Sequence, residues 1–136
     1  MEEYIDLYDD NKQNTGVAIP RSKEWELPEG RHILISALIV KNSDGKIMLQ
    51  FTSKEKGSIY SLPSGHVLHG ESSDDTIVRE MYEEQGIVIS KNDITFVEER
   101  LASKMAFLIY TTWKKITLEM RWNYKKKKLM MLFGQQ

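Results

Sequence analysis

Three glutamates, Glu80, Glu83 and Glu84, stand at i, i+3 and i+4. On a helix of about 100° per residue this spacing puts their carboxylates on one face, while Val78, Met81 and Tyr82 point largely the other way. Like charges so placed destabilise a helix unless something offsets them. Arg79, which reaches Glu83 at i+4, can do so, as can solvent or a bound cation. A donor set of oxygens alone selects a hard ion, magnesium or manganese, and a partly hydrated octahedral ion on a few carboxylates is the usual companion of a substrate phosphate. On these three residues alone, a solvated acidic face is the plainer reading.

The longer spacing reverses that balance. Gly65 is followed after five residues by Glu71 and after seven more by Arg79-Glu80-Met81; then, each after one residue, come Glu83-Glu84 and Gly86-Ile87. Nine specified positions agree, a match that average residue usage yields on the order of once in a billion windows. This is a complete Nudix box, and the chain resembles the Nudix hydrolase family most firmly over these 23 residues and more loosely over residues 4–113, including the lead-in Tyr60-Ser61-Leu62-Pro63-Ser64-Gly65-His66-Val67.

The resemblance implies an α/β/α sandwich with a mixed β-sheet. In it the box would hold magnesium or manganese against a diphosphate while water cleaves a nucleoside diphosphate linked to another group. Carried over residue by residue, it implies Glu80 and Glu84 as principal metal ligands, Glu83 as a further ligand or water-positioning group, and the Gly65 carbonyl as another ligand. Glu71 and Arg79 would orient the carboxylates. Such an ion neutralises the diphosphate, acts as a Lewis acid and lowers the pKa of the attacking water. The group that takes the water's proton stays open among Glu84, Glu98 and Glu99. The implied partner is a small soluble diphosphate, with oxidised nucleotides, ADP-ribose, dinucleotides and sugar nucleotides undistinguished. A Nudix domain that binds a diphosphate without cleaving it, or a catalytically impaired product of a shifted gene, is the second class of reading.

The amino-terminal half is similar to the branch related to isopentenyl-diphosphate isomerase, through Ile5-Asp6-Leu7-Tyr8-Asp9-Asp10, Thr15-Gly16, Arg21 and the histidine that opens the main strand. His32 and His66 match positions where isomerases place metal-binding histidines. Ser64 stands where that enzyme has its catalytic cysteine, and the chain contains no cysteine, which disfavours isomerase chemistry. The branch usually shows an arginine near Thr52. Arg21, Lys54 and Lys56 are the candidate substrate contacts, although lysines in a Ser-Lys-Glu-Lys-Gly loop are usually only solvated.

Local signals along the chain define the elements that carry these groups. Residues 4–8, the turn-rich residues 9–16 and Val17-Ala18-Ile19 make a hairpin, and residues 21–31, with Pro28 and Gly30, make a connecting loop. Residues 32–41 are apolar almost throughout, as in a strand covered on both faces, and Asp44-Gly45 returns the chain into Ile47-Met48-Leu49-Gln50-Phe51 as an antiparallel partner. A helix starts from a Ser72 or Ser73 cap, carries Ile77, Val78, Met81 and Tyr82 on its apolar side, and ends at Gly86. Residues 94–97 and 105–113 are two more strands. Strands, one strong helix and further strands imply a mixed sheet with helix packed on it.

With 136 residues the chain suits one domain, and its 40% hydrophobic and 29% charged composition excludes collagen-like and disordered classes. The absence of cysteine excludes thiolate chemistry and fits a reducing cytoplasm, and a net charge of -1 predicts no general attraction to nucleic acid or anionic lipid. No run is long enough for a membrane span, and the acidic start is unlike a signal peptide. A homodimer is left open.

Beyond Trp113 the family pattern gives way to Arg121-Trp122-Asn123-Tyr124, four lysines and Leu129-Met130-Met131-Leu132-Phe133. The plain reading is a basic tail, disordered or helical. Read from the third base of each codon, the same stretch permits Glu-Leu-Gln, three residues of Lys or Glu, then Val-Asp-Asp, which resembles the distal acidic segment of this branch. The expectation is a single Nudix domain over residues 1–118 and an atypical tail over 119–136, out of frame after a base lost or gained between about Trp113 and Met120.

Overall fold

The computed structural model describes residues 2–41, 47–51, 60–103, 105–113, 121–123 and 128–133. Strands β1 (Tyr4–Tyr8) and β2 (Asn14–Pro20) pair antiparallel as the expected hairpin. Asp9 shapes its turn by accepting from Asn11 N and Gln13 N, each at 2.9 Å. A 3-10 helix, Arg21–Glu26, occupies part of what the sequence suggests is loop.

Strands β3 (Ile33–Val40), β6 (Ser64–His66), β7 (Ile94–Ser103) and β8 (Ala106–Trp113) form a mixed sheet in the order β6-β3-β8-β7. β3 and β8 run parallel, and both other pairings are antiparallel. Among the described residues, the hairpin expected between β3 and Ile47–Phe51 is reduced to the bridge between Lys41 and Ile47. Both edges of β3 are already taken by β6 and β8. β4 (Ile47–Phe51) therefore pairs with β5 (Tyr60–Ser61) and β10 (Lys128–Phe133) in a second sheet that ends in β9 (Arg121–Asn123). The tail thus contributes strand backbone, where the plain sequence reading has it disordered or helical.

Alternation along β3 separates two cores. Leu38 and Val40 meet Ile77, Met81 and Trp113 on one face, and Ile33 on the other joins Ile5, Leu7 and Ala106 from the hairpin side. Between these layers the central strand is covered on both faces, as its apolar run requires.

Helix α1 (Ser73–Gln85) is bounded as the sequence suggests. Ser72 Oγ accepts from Asp75 N at 3.1 Å and Asp75 Oδ2 from Ser72 N at 3.0 Å, a reciprocal capping box. Lys91, 2.7 Å from Asp75, holds that carboxyl down to about 2, with Ser72 adding to the effect. Gly86 ends the helix at φ 69°, donating to Tyr82 O, while Ile87 N donates to Met81 O. Tyr82 is 64% exposed, contrary to its expected place on the apolar side. The buried stripe is Ile77, Met81 and Gln85, four residues apart, and Tyr82 lies about 100° from its centre. Gln85 carries its polarity inside by donating to Gln50 Oε1 at 2.7 Å.

Candidate active site

Arg79 is the hub of the site. Its Nε and Nη2 donate to the two oxygens of Glu71 at 2.7 and 3.0 Å, a fork on a carboxylate, and Nη1 reaches Glu80 at 3.0 Å and Glu83 at 3.3 Å. Nη2 also donates to the His66 carbonyl at 3.2 Å, tying the helix to β6. One guanidinium therefore gathers three of the acidic residues that the spacing singles out. Glu84, half-buried, comes one turn after Glu80.

Gly65 explains why the cluster can close. It faces Ser36 in the β3–β6 ladder, and Ser36 Oγ donates to the Ser73 carbonyl at 2.9 Å, so this side of the sheet looks at α1. A Cβ on residue 65 would lie 2.6 Å from Glu80 Cγ and closer still to Oε1. The bare Cα is the space into which Glu80 folds. Residue 65 needs glycine for proximity, since its φ is not in the left-handed region.

Electrostatics separates the carboxylates. Burial alone would push Glu71 up, yet hydrogen bonds from Arg79, Leu68 N and the Thr76 hydroxyl outweigh it and hold the carboxyl below its ordinary value. Arg79 is raised in turn, by Glu71 before all else and by Glu80, against the opposing effect of burial. Glu80 moves the other way: burial pushes it up, Arg79 opposes, and the neighbouring charges of Glu84 and Glu83 add to the rise. Glu71 is the fixed anchor, and Glu80 is a carboxylate whose charged form the fold disfavours.

The remaining candidates are dispersed. Arg21 pairs with Glu3 at 2.7 Å beside β1. Thr52, Lys54 and Lys56 lie outside the described residues. His66 Nε2 is 2.6 Å from Glu24, and His32 Nε2 is 2.7 Å from Asp10 with its ring edge-on to Phe107, so the two histidines serve separate carboxylates. Ser64, exposed in β6, holds the position of the isomerase cysteine. Glu98 and Glu99 both lie on edge strand β7 in ion pairs with Arg100 and Lys12 respectively. A cavity of about 1150 Å³ lined by Asp10, Leu27, Arg31, His32, Leu101 and Met105 opens at the amino-terminal ends of β3 and β8, off the box. Among the described residues no three His, Asp or Glu side chains form a ready cage for a metal ion. The sequence reading missed Thr76, whose hydroxyl donates to Glu71 at 3.0 Å, and Glu24, the partner of His66. A place one turn before Arg79 on the helix is the signal for Thr76; none marks Glu24.

A family model described as the NUDIX domain matches residues 30–125. The chain belongs to the Nudix family. Its structure is similar to that of DR0079 from Deinococcus radiodurans, with a TM-score of 0.74 at 16% identity over 97% of this chain and 83% of that one. A MutT structure from work on Aliivibrio salmonicida and Vibrio cholerae gives a TM-score of 0.61 at 22% identity over 76% and 80% of the two chains. No curated protein matches the sequence. The neighbours establish the fold, and membership of the family supports a hydrolase of diphosphate-containing substrates. Among the described residues no helix is long and apolar enough to cross a membrane.

Proposed function

We propose that the chain is a magnesium- or manganese-dependent hydrolase that cleaves the diphosphate linkage of a nucleoside diphosphate derivative. Glu80, Glu83, Glu84 and the Gly65 carbonyl would hold the ion. The observation that carries this reading is the Arg79 fork, which gathers Glu71, Glu80 and Glu83 around the space left by Gly65. The donors fit a hard ion, being oxygens throughout, with Glu80 destabilised in its charged form by burial and by like-charged neighbours. A divalent ion, when bound, neutralises the diphosphate and lowers the pKa of water.

The chain's own residues do the positioning. Glu71, kept ionised, fixes the guanidinium, and Arg79 keeps Glu80 and Glu83 on one patch. A cation held by Glu80 and Glu83 would share those carboxylates with Arg79 Nη1, whereas the fork lies on Glu71, outside the proposed ligand set. Glu84, which belongs to the box itself, is the proposed acceptor of the water's proton, whereas Glu98 and Glu99 lie on edge strand β7.

The test is metal-dependent hydrolysis across a panel of nucleoside diphosphate derivatives, with Glu84→Gln as the comparison once circular dichroism shows both proteins folded. Turnover that needs the ion and falls at least a hundredfold in the variant supports the reading. A folded parent that binds the ion and hydrolyses nothing refutes hydrolysis and leaves a diphosphate-binding domain.

A further inference from the structure

A buried carboxylate in β1 takes no part in that chemistry. The Asp6 side chain is only 6% exposed, a costly position for a charge unless hydrogen bonds compensate it. It accepts from His69 Nδ1 at 2.6 Å and from Gly70 N at 3.2 Å. The same strand holds the same loop by its backbone, with His69 N donating to Tyr4 O at 2.8 Å and a bridge between Ile5 and Leu68. Strand β1 therefore grips residues 68–70 by side chain and backbone together.

Directly after the gripped residues comes the anchor of the active site. Gly70, at φ 81°, turns the chain, and Glu71 closes the turn by donating from its N to Leu68 O and accepting from Leu68 N at Oε1, both at 2.9 Å. The same carboxylate carries the Arg79 fork. We propose that Asp6 is a positioning residue of the hydrolytic site. It fixes the 68–70 turn, the turn fixes Glu71, and Glu71 fixes the guanidinium that gathers Glu80 and Glu83. The inference rests on the proposed hydrolase function and extends the site beyond residues 30–125, the span of the family match, into the amino-terminal hairpin.

The experiment compares the full chain with Asp6→Ala and Asp6→Asn by three readouts: amide hydrogen exchange in metal-free protein, the dissociation constant for Mn2+ alone, and kcat and KM on whichever diphosphate the parent turns over. Asp6→Ala should speed exchange at Leu68, Gly70 and Glu71 at least tenfold with Met81 unchanged, weaken Mn2+ about fivefold, and lower kcat about tenfold with KM within twofold. Asparagine can accept from Gly70 N and donate to the other tautomer of His69, so Asp6→Asn should restore most of each loss. If Asp6→Ala accelerates exchange throughout α1, the fold has failed, and His69→Ala, a change at a side chain 67% exposed, replaces it with the same expected pattern. A folded variant with parental exchange at residues 68–71, or with parental Mn2+ affinity and kcat, overturns the proposal. A parent that neither binds Mn2+ nor turns over refutes the function itself, a different result from an active parent whose kcat ignores residue 6.

Discussion

Gly65→Ala puts the packing of the site to the sharpest test. The added methyl would sit 2.6 Å from Glu80 Cγ, so the carboxylate must retreat by about 1 Å to reach ordinary van der Waals contact. Glu80 has little freedom to do so, because its side chain is only 16% exposed and lies 3.0 Å from Arg79 Nη1. Overpacking of this kind costs about 1–3 kcal/mol, and weakening one charged hydrogen bond adds about 1 kcal/mol. The loss of glycine's freedom in the unfolded chain returns about 0.4–1 kcal/mol. The net expectation is a destabilisation of about 2 kcal/mol, a fall in Tm of roughly 8 °C for a chain of this size. Thermal and urea unfolding of metal-free protein measure it, and a double-mutant cycle isolates its cause. In a Glu80→Ala background the three atoms nearest the methyl are gone, so Gly65→Ala should there cost far less. An equal cost in both backgrounds would show that Glu80 is not the obstacle and would overturn this account of the packing.

Glu80→Gln should separate stability from function. Because the raised carboxyl makes ionisation unfavourable in the folded state, metal-free parent loses stability as pH rises from the ordinary glutamate range through the raised pKa; the variant should escape that loss, gaining about 0.2–0.5 kcal/mol per like-charged neighbour at pH 7 while binding Mn2+ more weakly, as calorimetry would record. For Glu71 the sign is opposite. Its lowered carboxyl contributes stability that is complete above the ordinary glutamate pKa and disappears as pH falls through the depressed one, so Glu71→Gln should cost about 1.5–3 kcal/mol at pH 7 and flatten the acid limb of urea-unfolding curves below the ordinary glutamate range. Residues 119–136 are proposed to be an out-of-frame tail, and the coding DNA decides this: the shifted frame should stay open and encode the acidic segment, and a stop codon within it would refute the shift.

The box was legible because its chemistry is local. Glu71, Arg79, Glu80 and Glu83 lie within 13 residues, and helical geometry brings their charges together without knowledge of the rest of the fold. The caps of α1 were legible for the same reason, since Ser72 and Gly86 act on their immediate neighbours. Pairing was not. Asp44-Gly45 between two apolar runs is a sound hairpin signal, yet β3 takes its neighbours from β6 and from β8, whose Ile109 lies opposite Ser36. A parallel partner over 70 residues away leaves no trace in local periodicity. The contacts of Asp6 leave no local trace likewise, since its partners His69 and Gly70 are 63 and 64 residues distant.

Arg79 ties the acidic cluster together, and on the proposed function that same cluster is the cation site. Three glutamates on one guanidinium, with Glu84 one turn further along the helix, leave an excess of negative charge, which the protein tolerates unevenly: Glu71 is satisfied by two forked bonds, a backbone amide and a hydroxyl, while Glu80 has a 3.0 Å contact with Arg79 and is raised by burial. If the site holds a divalent ion as proposed, its ligands Glu80 and Glu83 are tied to Arg79 by Nη1 alone, while Glu71 carries the fork. The orientation of the guanidinium rests on Glu71, whose Oε1 accepts from Leu68 N as well as from Arg79 Nη2, and the 68–70 turn is held in its place by β1. On this account metal affinity and local order at residues 68–71 rise and fall together, and a variant that changed one without the other would break the chain of contacts at an identifiable link.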